Sequence, residues 1–166
     1  TLPDVIAPGL RVLLCGINPG LYSAAVGHNF ARPGNRFWPA LYRGGVTPRR
    51  FAPEEEQELL PLGFGITNIV ARATASAAEL TRDELAAGGR ELVEKVLRYR
   101  PRILAILGVT AFRTAFDKPK ASLGRQPGHI GDTAIWVIPN PSGLNAHCLL
   151  PELAEWFHRV WEASSS

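Results

Sequence analysis

Four short apolar runs mark the chain: VLLCGI at 12–17, FGITNIV at 64–70, ILAILG at 103–108 and AIWVI at 134–138. Their apolar residues do not alternate with polar ones, so the pattern predicts strands buried on both faces, as in a parallel sheet. Helical periodicity lies between the runs. Thr81, with Glu84 three residues on, forms a capping-box pair. Leu85, Gly89, Leu92, Val96 and Tyr99 then recur at steps of four and three residues, one face of a helix that Pro101 stops. Further helices are predicted at 36–42, 53–60, 110–116 and 151–162. Strands alternating with helices predict one α/β domain over 1–166, with a mainly parallel central sheet of about four strands flanked by helices. No internal repeat interrupts this order, and the tail EASSS reads as a frayed end.

The first and last runs each stop at an Asn-Pro pair followed by a small residue: GINPG at 16–20 and NPSG at 140–143. Such a turn by itself only ends a strand. In open parallel sheets, however, sites gather at the carboxyl ends of the strands. Two equivalent turns at such ends are expected to face each other across one cleft. The Gly-rich dinucleotide pattern and the P-loop pattern are both absent, which argues against a tightly held nucleotide cofactor.

Composition narrows the reading. With 166 residues, 46% hydrophobic and 20% charged, the chain matches an ordinary soluble globular protein. A net charge of +3 permits a polyanionic partner without requiring one. Cys15 and Cys148 both lie among apolar residues, so buried thiols in a reducing compartment, the cytoplasm, are expected. No apolar stretch approaches the ~20 residues of a membrane span. The start, TLPDVIAPGLRV, lacks the layout of a signal peptide; with no Met and Thr1 first, further residues upstream are expected. His28, His129, His147 and His158 have no ligand spacing, so no metal is expected.

Ser142 has His147 nearby, which raises serine-hydrolase chemistry. A nucleophile elbow needs small residues two before and two after the serine, where this chain has Asn140 and Leu144. Ser142 is expected instead to bond a phosphate or cap its own turn. An esterase-like hydrolase using Ser142 and a flavodoxin-like nucleotide-binding module remain the alternative readings. The segment HNFARPGNRFWPALY at 28–42 is dense in aromatic and basic residues. Phe37, Trp38 and Leu41 fit one buried helix face. Phe30 stands in a loop bounded by Gly27 and Pro33, where an aromatic ring can stack on a flat base.

Taken together, GINPGL, FARPGNRFW, AGGRELVEK, PRILAILG and IWVIPNPSGLN resemble the mismatch-specific uracil-DNA glycosylases, the branch grouped with thymine-DNA glycosylase, from about Pro8 to about Trp161. The resemblance implies a monofunctional enzyme that flips uracil, or a related mispaired or damaged pyrimidine, out of mismatched duplex DNA. Water then cuts the glycosidic bond, with neither metal nor cofactor, and a monomer with no obligatory protein partner suffices. By the same resemblance Asn18 positions the water, Phe30 stacks on the base, and backbone groups of Ile17 and Phe30 bond its edge. Asn140 lies close to the extruded nucleotide, and Gly143, Leu144 and Asn145 form the wedge that enters the base stack. Similar proteins have an arginine soon after that leucine, where this chain reads Asn145, Ala146, His147. Fast uracil-DNA glycosylases have an aspartate in the first motif and a histidine in the second. Asn18 and Asn140 therefore imply slow turnover and a loosely selective pocket. Asp83, at a helix start, is the carboxylate considered for assisting Asn18; its other reading is ordinary placement at a helix N-terminus, where Glu79 also lies.

Overall fold

The computed structural model describes residues 2–143, 145 and 147–165. Among these residues five strands form one sheet: β1 (Val12–Gly16), β2 (Phe64–Asn68), β3 (Ile103–Leu107), β4 (Gly124–Ile130) and β5 (Thr133–Ile138). Their order is β2-β1-β3-β5-β4. All neighbours are parallel except β4, which runs antiparallel to β5. Among the described residues five α-helices accompany them: α1 (Leu21–Val26), α2 (Phe37–Arg43), α3 (Arg82–Tyr99), α4 (Val109–Ala115) and α5 (Leu150–Ala163).

The unbroken apolar runs become strands because both faces of the sheet are covered. Val12, Leu14, Phe64, Ile66, Ala105 and Ile138 pack with Phe37 and Leu41 of α2 and with Leu153 and Phe157 of α5. The alternate residues Leu13, Cys15, Leu104, Ile106 and Val137 pack with Leu92 and Val96 of α3 and Phe112 of α4. Full burial of each such side chain is worth about 1.5–3 kcal/mol. Helix α3 begins as expected: the Thr81 hydroxyl accepts the Glu84 N–H at 3.0 Å, and Glu84 Oε1 accepts the Thr81 N–H at 3.1 Å.

Three elements differ from the pattern-based expectation. The fifth strand, β4, carries Gly124, Pro127 and Gly128 and shifts register between Arg125 and His129. Proline and glycine are tolerated there because β4 is an edge strand. Helix α1 follows the first Asn-Pro turn and buries only Ser23, so it has no apolar stripe to betray it. The 53–60 segment winds as a 3₁₀ helix, Pro53–Leu62, with Pro61 inside it. Proline offers no N–H to an α-helical ladder.

The N-terminal segment closes the outer edge of β2. Val5 exchanges backbone hydrogen bonds with Ile66 at 2.9 and 2.8 Å. The Asp4 carboxylate accepts the Thr67 hydroxyl at 2.8 Å and the Lys95 ammonium at 2.5 Å.

Helix α3 lies against α4 at a glycine. A Cβ on Gly89 would stand 2.5 Å from the Ala115 carbonyl oxygen. Gly89→Ala gains about 1 kcal/mol of helix propensity, but overpacking a tight contact costs about 1–3 kcal/mol. A net destabilisation of up to about 2 kcal/mol is expected, because the colliding group is backbone and cannot swing aside. Thermal or urea unfolding of the variant checks it, and a stabilised variant would show that the helices can separate freely.

Candidate active site

Strand β2 lies on one side of β1 and β3 on the other, so the winding of the sheet reverses there. Such a switch point opens a crevice at the carboxyl ends of the strands. Here it is a cleft of about 610 Å³, lined by the turn after β1 (Ile17 to Gly20), by Asn68 at the end of β2, by residues after β3, and by Asn140, Pro141 and Ser142 after β5. The two Asn-Pro turns do share one cleft.

Strand alternation sets its floor. Val12, Leu14 and Gly16 of β1 point to one face of the sheet, as do Phe64, Ile66 and Asn68 of β2, and Gly16 is the register partner of Asn68. A Cβ at Gly16 would sit 2.6 Å from Asn68 Oδ1 and 3.1 Å from Phe30 Cζ. Glycine at 16 leaves room for both. Phe30 has a left-handed backbone with φ of 54°, uncommon for a residue with a Cβ. Its ring stacks on Phe37, with centroids 3.9 Å apart and planes 13° apart, and it is half-buried where it lines the cleft.

Asn18 is held by its nitrogen end. Nδ2 donates to the Arg72 carbonyl and to Thr74 Oγ1, both at 2.8 Å. The Thr74 hydroxyl in turn donates to the Ser76 carbonyl, so Thr74 Oγ1 can serve Asn18 only as an acceptor. The amide is therefore fixed in one sense, with Oδ1 as the acceptor that remains. Arg72 is itself anchored, its guanidinium bonding both oxygens of Glu84 at 2.8 and 2.9 Å. Those bonds, with the Thr81 N–H, hold the Glu84 carboxyl near 2, below its ordinary 4.5. A depressed folded pKa means that the contact is fully present above the unfolded value and lost only as pH falls toward 2.

On the far side of Phe30, Asn68 Nδ2 donates to Asn29 Oδ1 at 3.3 Å. Asn29 is buried and donates its own backbone N–H and Nδ2 to Glu56 Oε1, at 3.2 and 2.9 Å. Neither Asn68, Glu56 nor Thr74 stands out in the sequence pattern. Asn68 is a polar residue at the carboxyl end of an apolar run, the one signal available.

The second turn is built mainly on itself. Asn140 Oδ1 accepts the Ser142 N–H at 2.9 Å, and Asn140 Nδ2 donates to no described residue. Asn145 returns its side-chain nitrogen to the Asn140 carbonyl at 3.0 Å, and its Oδ1 accepts the His147 N–H. A Cβ on Gly143 would be 2.7 Å from the Gly34 carbonyl oxygen, so the second turn touches the Phe30 loop. Leu144 lies outside the described residues. Arg36 binds the two loops together: its guanidinium donates to the carbonyls of Ser142 (2.7 Å), Asn145 (3.0 Å) and Cys148.

Asp83 stands apart from this assembly. It is exposed on the first turn of α3 and does not line the cleft, while the neighbouring Glu79 caps Ser76 and Glu84 engages Arg72. Glu152 is the carboxylate found among the described lining residues, alongside Arg32 and His147. Burial raises the Cys148 thiol above its ordinary pKa, with Glu152 adding to the effect and Arg36 opposing it. That disfavours the thiolate a cysteine nucleophile needs. Among the described residues no group of three His, Cys, Asp or Glu is placed to hold a metal ion.

A sheet wound in this order and opened at this end defines the uracil DNA glycosylase-like class of single-domain α/β proteins. The solution NMR structure of a candidate uracil DNA glycosylase from Methanosarcina acetivorans shares the fold, with a TM-score of 0.61 over 96% of each chain at 19% identity. The model of the Uracil DNA glycosylase superfamily matches residues 3–164, and the chain belongs to that superfamily. Its members act on DNA and hydrolyse the bond between base and sugar, so this chain is a DNA glycosylase.

Replacing Arg36 tests how the cleft is held. Arg36→Leu strands three carbonyl groups, each buried unsatisfied group costing about 1–3 kcal/mol where water cannot reach it. A Tm lower by several degrees is expected, together with faster amide hydrogen exchange in the peptide spanning 141–148. Arg36→Lys should fall between, since one ammonium cannot reproduce a planar fork. Unchanged exchange in both variants would mean that the loop holds its shape without the guanidinium.

Proposed function

We propose that the protein removes uracil, and related mispaired or damaged pyrimidines, from mismatched duplex DNA, leaving an intact abasic site. The observation that carries this reading is one cleft lined by a half-buried aromatic ring and two side-chain amides, Asn18 and Asn68, each fixed in a single sense. A target base must leave the stack and enter a pocket for its glycosidic bond to be reached. In this cleft Phe30 stacks on the flipped ring. Asn68 reads its Watson–Crick edge, with Oδ1 accepting N3–H and Nδ2 donating to O4. Backbone groups of Ile17 and Phe30 bond the remaining edge, and Asn140 lies beside the extruded nucleotide. Ser142, at the tip of the second turn, meets a flanking phosphate.

The chemistry suits an amide. Asn18 Oδ1 accepts one hydrogen of a water and aims the water's lone pair at the anomeric carbon. As the C1′–N1 bond breaks, its electron pair passes to the pyrimidine, and donors around the base oxygens stabilise that anion. The new C1′–O bond forms with loss of a water proton to solvent. Asn18 cannot take that proton, since its amide does not ionise usefully. Slow turnover follows. No lysine adjoins either motif, so no Schiff base with the sugar is formed and the strand stays whole.

Mismatch preference follows from opening cost. Unpairing is cheapest for a mispaired base, and Leu144, next after Gly143 in the chain, fills the vacated space. Gly143 lets the second turn approach the duplex, and Asn145 braces it.

Labelled duplexes carrying U·G, U·A and T·G, followed by alkali, test the reading directly. Uracil release is expected to be fastest from U·G. Asn18→Ala should slow single-turnover excision about 100-fold or more, and Phe30→Ala should weaken recognition by about 1–3 kcal/mol. Leu144→Ala should hurt U·A more than U·G and single strands least. Absence of alkali-labile sites in all three duplexes, with the protein folded, would overturn the proposal.

A further inference from the structure

We propose that Glu56 and Asn29 are positioning residues that lock the sense of the Asn68 amide and so make the site choose uracil over cytosine. This rests on the reading that Asn68 contacts the base edge.

A carboxamide can rotate half a turn about its last bond with no change of shape, exchanging donor for acceptor. Uracil and cytosine differ in that same exchange. Uracil offers a donor at N3 and an acceptor at position 4; cytosine offers an acceptor at N3 and a donor at position 4. An Asn68 free to turn would suit either base, and cytosine is a normal component of DNA.

The relay beneath it removes that freedom. Glu56 Oε1 accepts the Asn29 backbone N–H at 3.2 Å, which identifies it as an acceptor. The Asn29 side chain must therefore present Nδ2 to the same oxygen, at 2.9 Å, and turn Oδ1 away. That Oδ1 faces Asn68, and only the nitrogen end of Asn68 can meet it, at 3.3 Å. The Asn68 oxygen is then left over Gly16, beside the Phe30 ring. Turning Asn68 alone would set two carbonyl oxygens together. Turning Asn29 as well would set its oxygen against Glu56 Oε1. Glu56 and Asn29 are 6% and 4% exposed, so water cannot rescue either arrangement. His28 Nδ1 lies 2.7 Å from Glu56 Oε2, and the Trp38 indole N–H donates to the Asn29 carbonyl at 3.2 Å, fixing the start and the middle of the relay. The polarity begins at Glu56 and is read out at the base.

The test uses duplexes with uracil or cytosine opposite a tetrahydrofuran spacer, so that opening cost is shared. Single-turnover excision rates and duplex affinity are measured for the full chain. Asn68→Ala serves as reference and should lose uracil excision about tenfold or more. Asn29→Ala and Glu56→Leu should each lower the uracil-to-cytosine rate ratio about tenfold or more, through the rate and not through duplex affinity. The double variant should be no worse than Asn29→Ala, because the two residues act in series. Glu56→Gln should keep the ratio, since its oxygen can face Asn29 while its nitrogen faces His28. If Glu56→Leu does not fold, Asn29→Ala removes the same link with a smaller change and decides the matter. Uracil excision that is impaired by Asn68→Ala but keeps its full base preference in Asn29→Ala would overturn the relay alone. No uracil excision by the unaltered protein, or none lost in Asn68→Ala, would instead remove the base-reading role on which the relay rests.

Discussion

A side-chain amide is symmetric in shape and antisymmetric in hydrogen bonding. A cleft that presents two of them depends on fixing the sense of each. This protein does so with groups whose own sense is not negotiable. Asn18 is fixed by a backbone carbonyl and by a hydroxyl already committed as donor to Ser76. Asn68 is fixed through Asn29 by an oxygen that a backbone N–H marks as an acceptor. Most of the surrounding architecture serves these two ends.

The supporting layers are ordinary packing used to hold polar atoms still. Phe37 is fully buried between α2 and the sheet, and its ring carries Phe30 on one face. The strained backbone of Phe30 persists because Ser23 Oγ accepts the N–H of the next residue, Ala31, at 3.0 Å and because the ring is clamped. The same loop supplies Arg36, whose backbone N–H donates to the Pro141 carbonyl at 3.0 Å and whose guanidinium reaches three more carbonyls of the second turn. Apolar burial fixes the first loop, and that loop fixes the second. The asymmetry explains why the second turn, tied mostly to itself and to one arginine, is the more dependent partner.

The sequence already showed where the sheet lies and which end matters. Continuous apolar runs, a capping box and two Asn-Pro turns are local signals, and each corresponds to one element within a residue or two of its place. Strand β4 was hidden because an edge strand can carry Pro127 and a bulge, which erases the alternation that would announce it. Helix α1 was hidden because it buries almost nothing. Of the residues lining the cleft, Ile17, Asn18 and Asn140 could be named because they stand in the two Asn-Pro motifs, and Phe30 because it is an aromatic in a loop bounded by Gly27 and Pro33. Asn68, Asn29, Glu56, Thr74 and Arg36 could not. Their roles arise from register between distant strands and from contacts across 27 to 112 positions of chain, and local pattern carries no record of these. Asp83 shows the opposite limit: chain position near a strand end does not place a carboxylate in the cleft when its helix turns that residue to solvent.

The same geometry accounts for an amide, and not a carboxylate, at position 18. An aspartate there would have no hydrogen to offer, and its charge would face the Arg72 carbonyl and the Thr74 hydroxyl oxygen at hydrogen-bond distance. Thr74 could donate to it only by giving up the Ser76 carbonyl, while its own backbone N–H ties its loop to the Pro19 carbonyl at 3.2 Å. Arg72 cannot compensate, because Nε and Nη2 of its guanidinium are engaged by Glu84, Nη2 also donates to the Glu79 carbonyl, and its own carbonyl is what Asn18 needs. A stronger base at that point would therefore demand a different wall behind it, with donors where this protein has acceptors. The wall and the residue are matched: three acceptor oxygens in sequence, on Arg72, Thr74 and Ser76, select a side chain that donates backwards and accepts forwards. A neutral amide does both at once, and the modest chemistry proposed for it is the consequence of the frame that holds it.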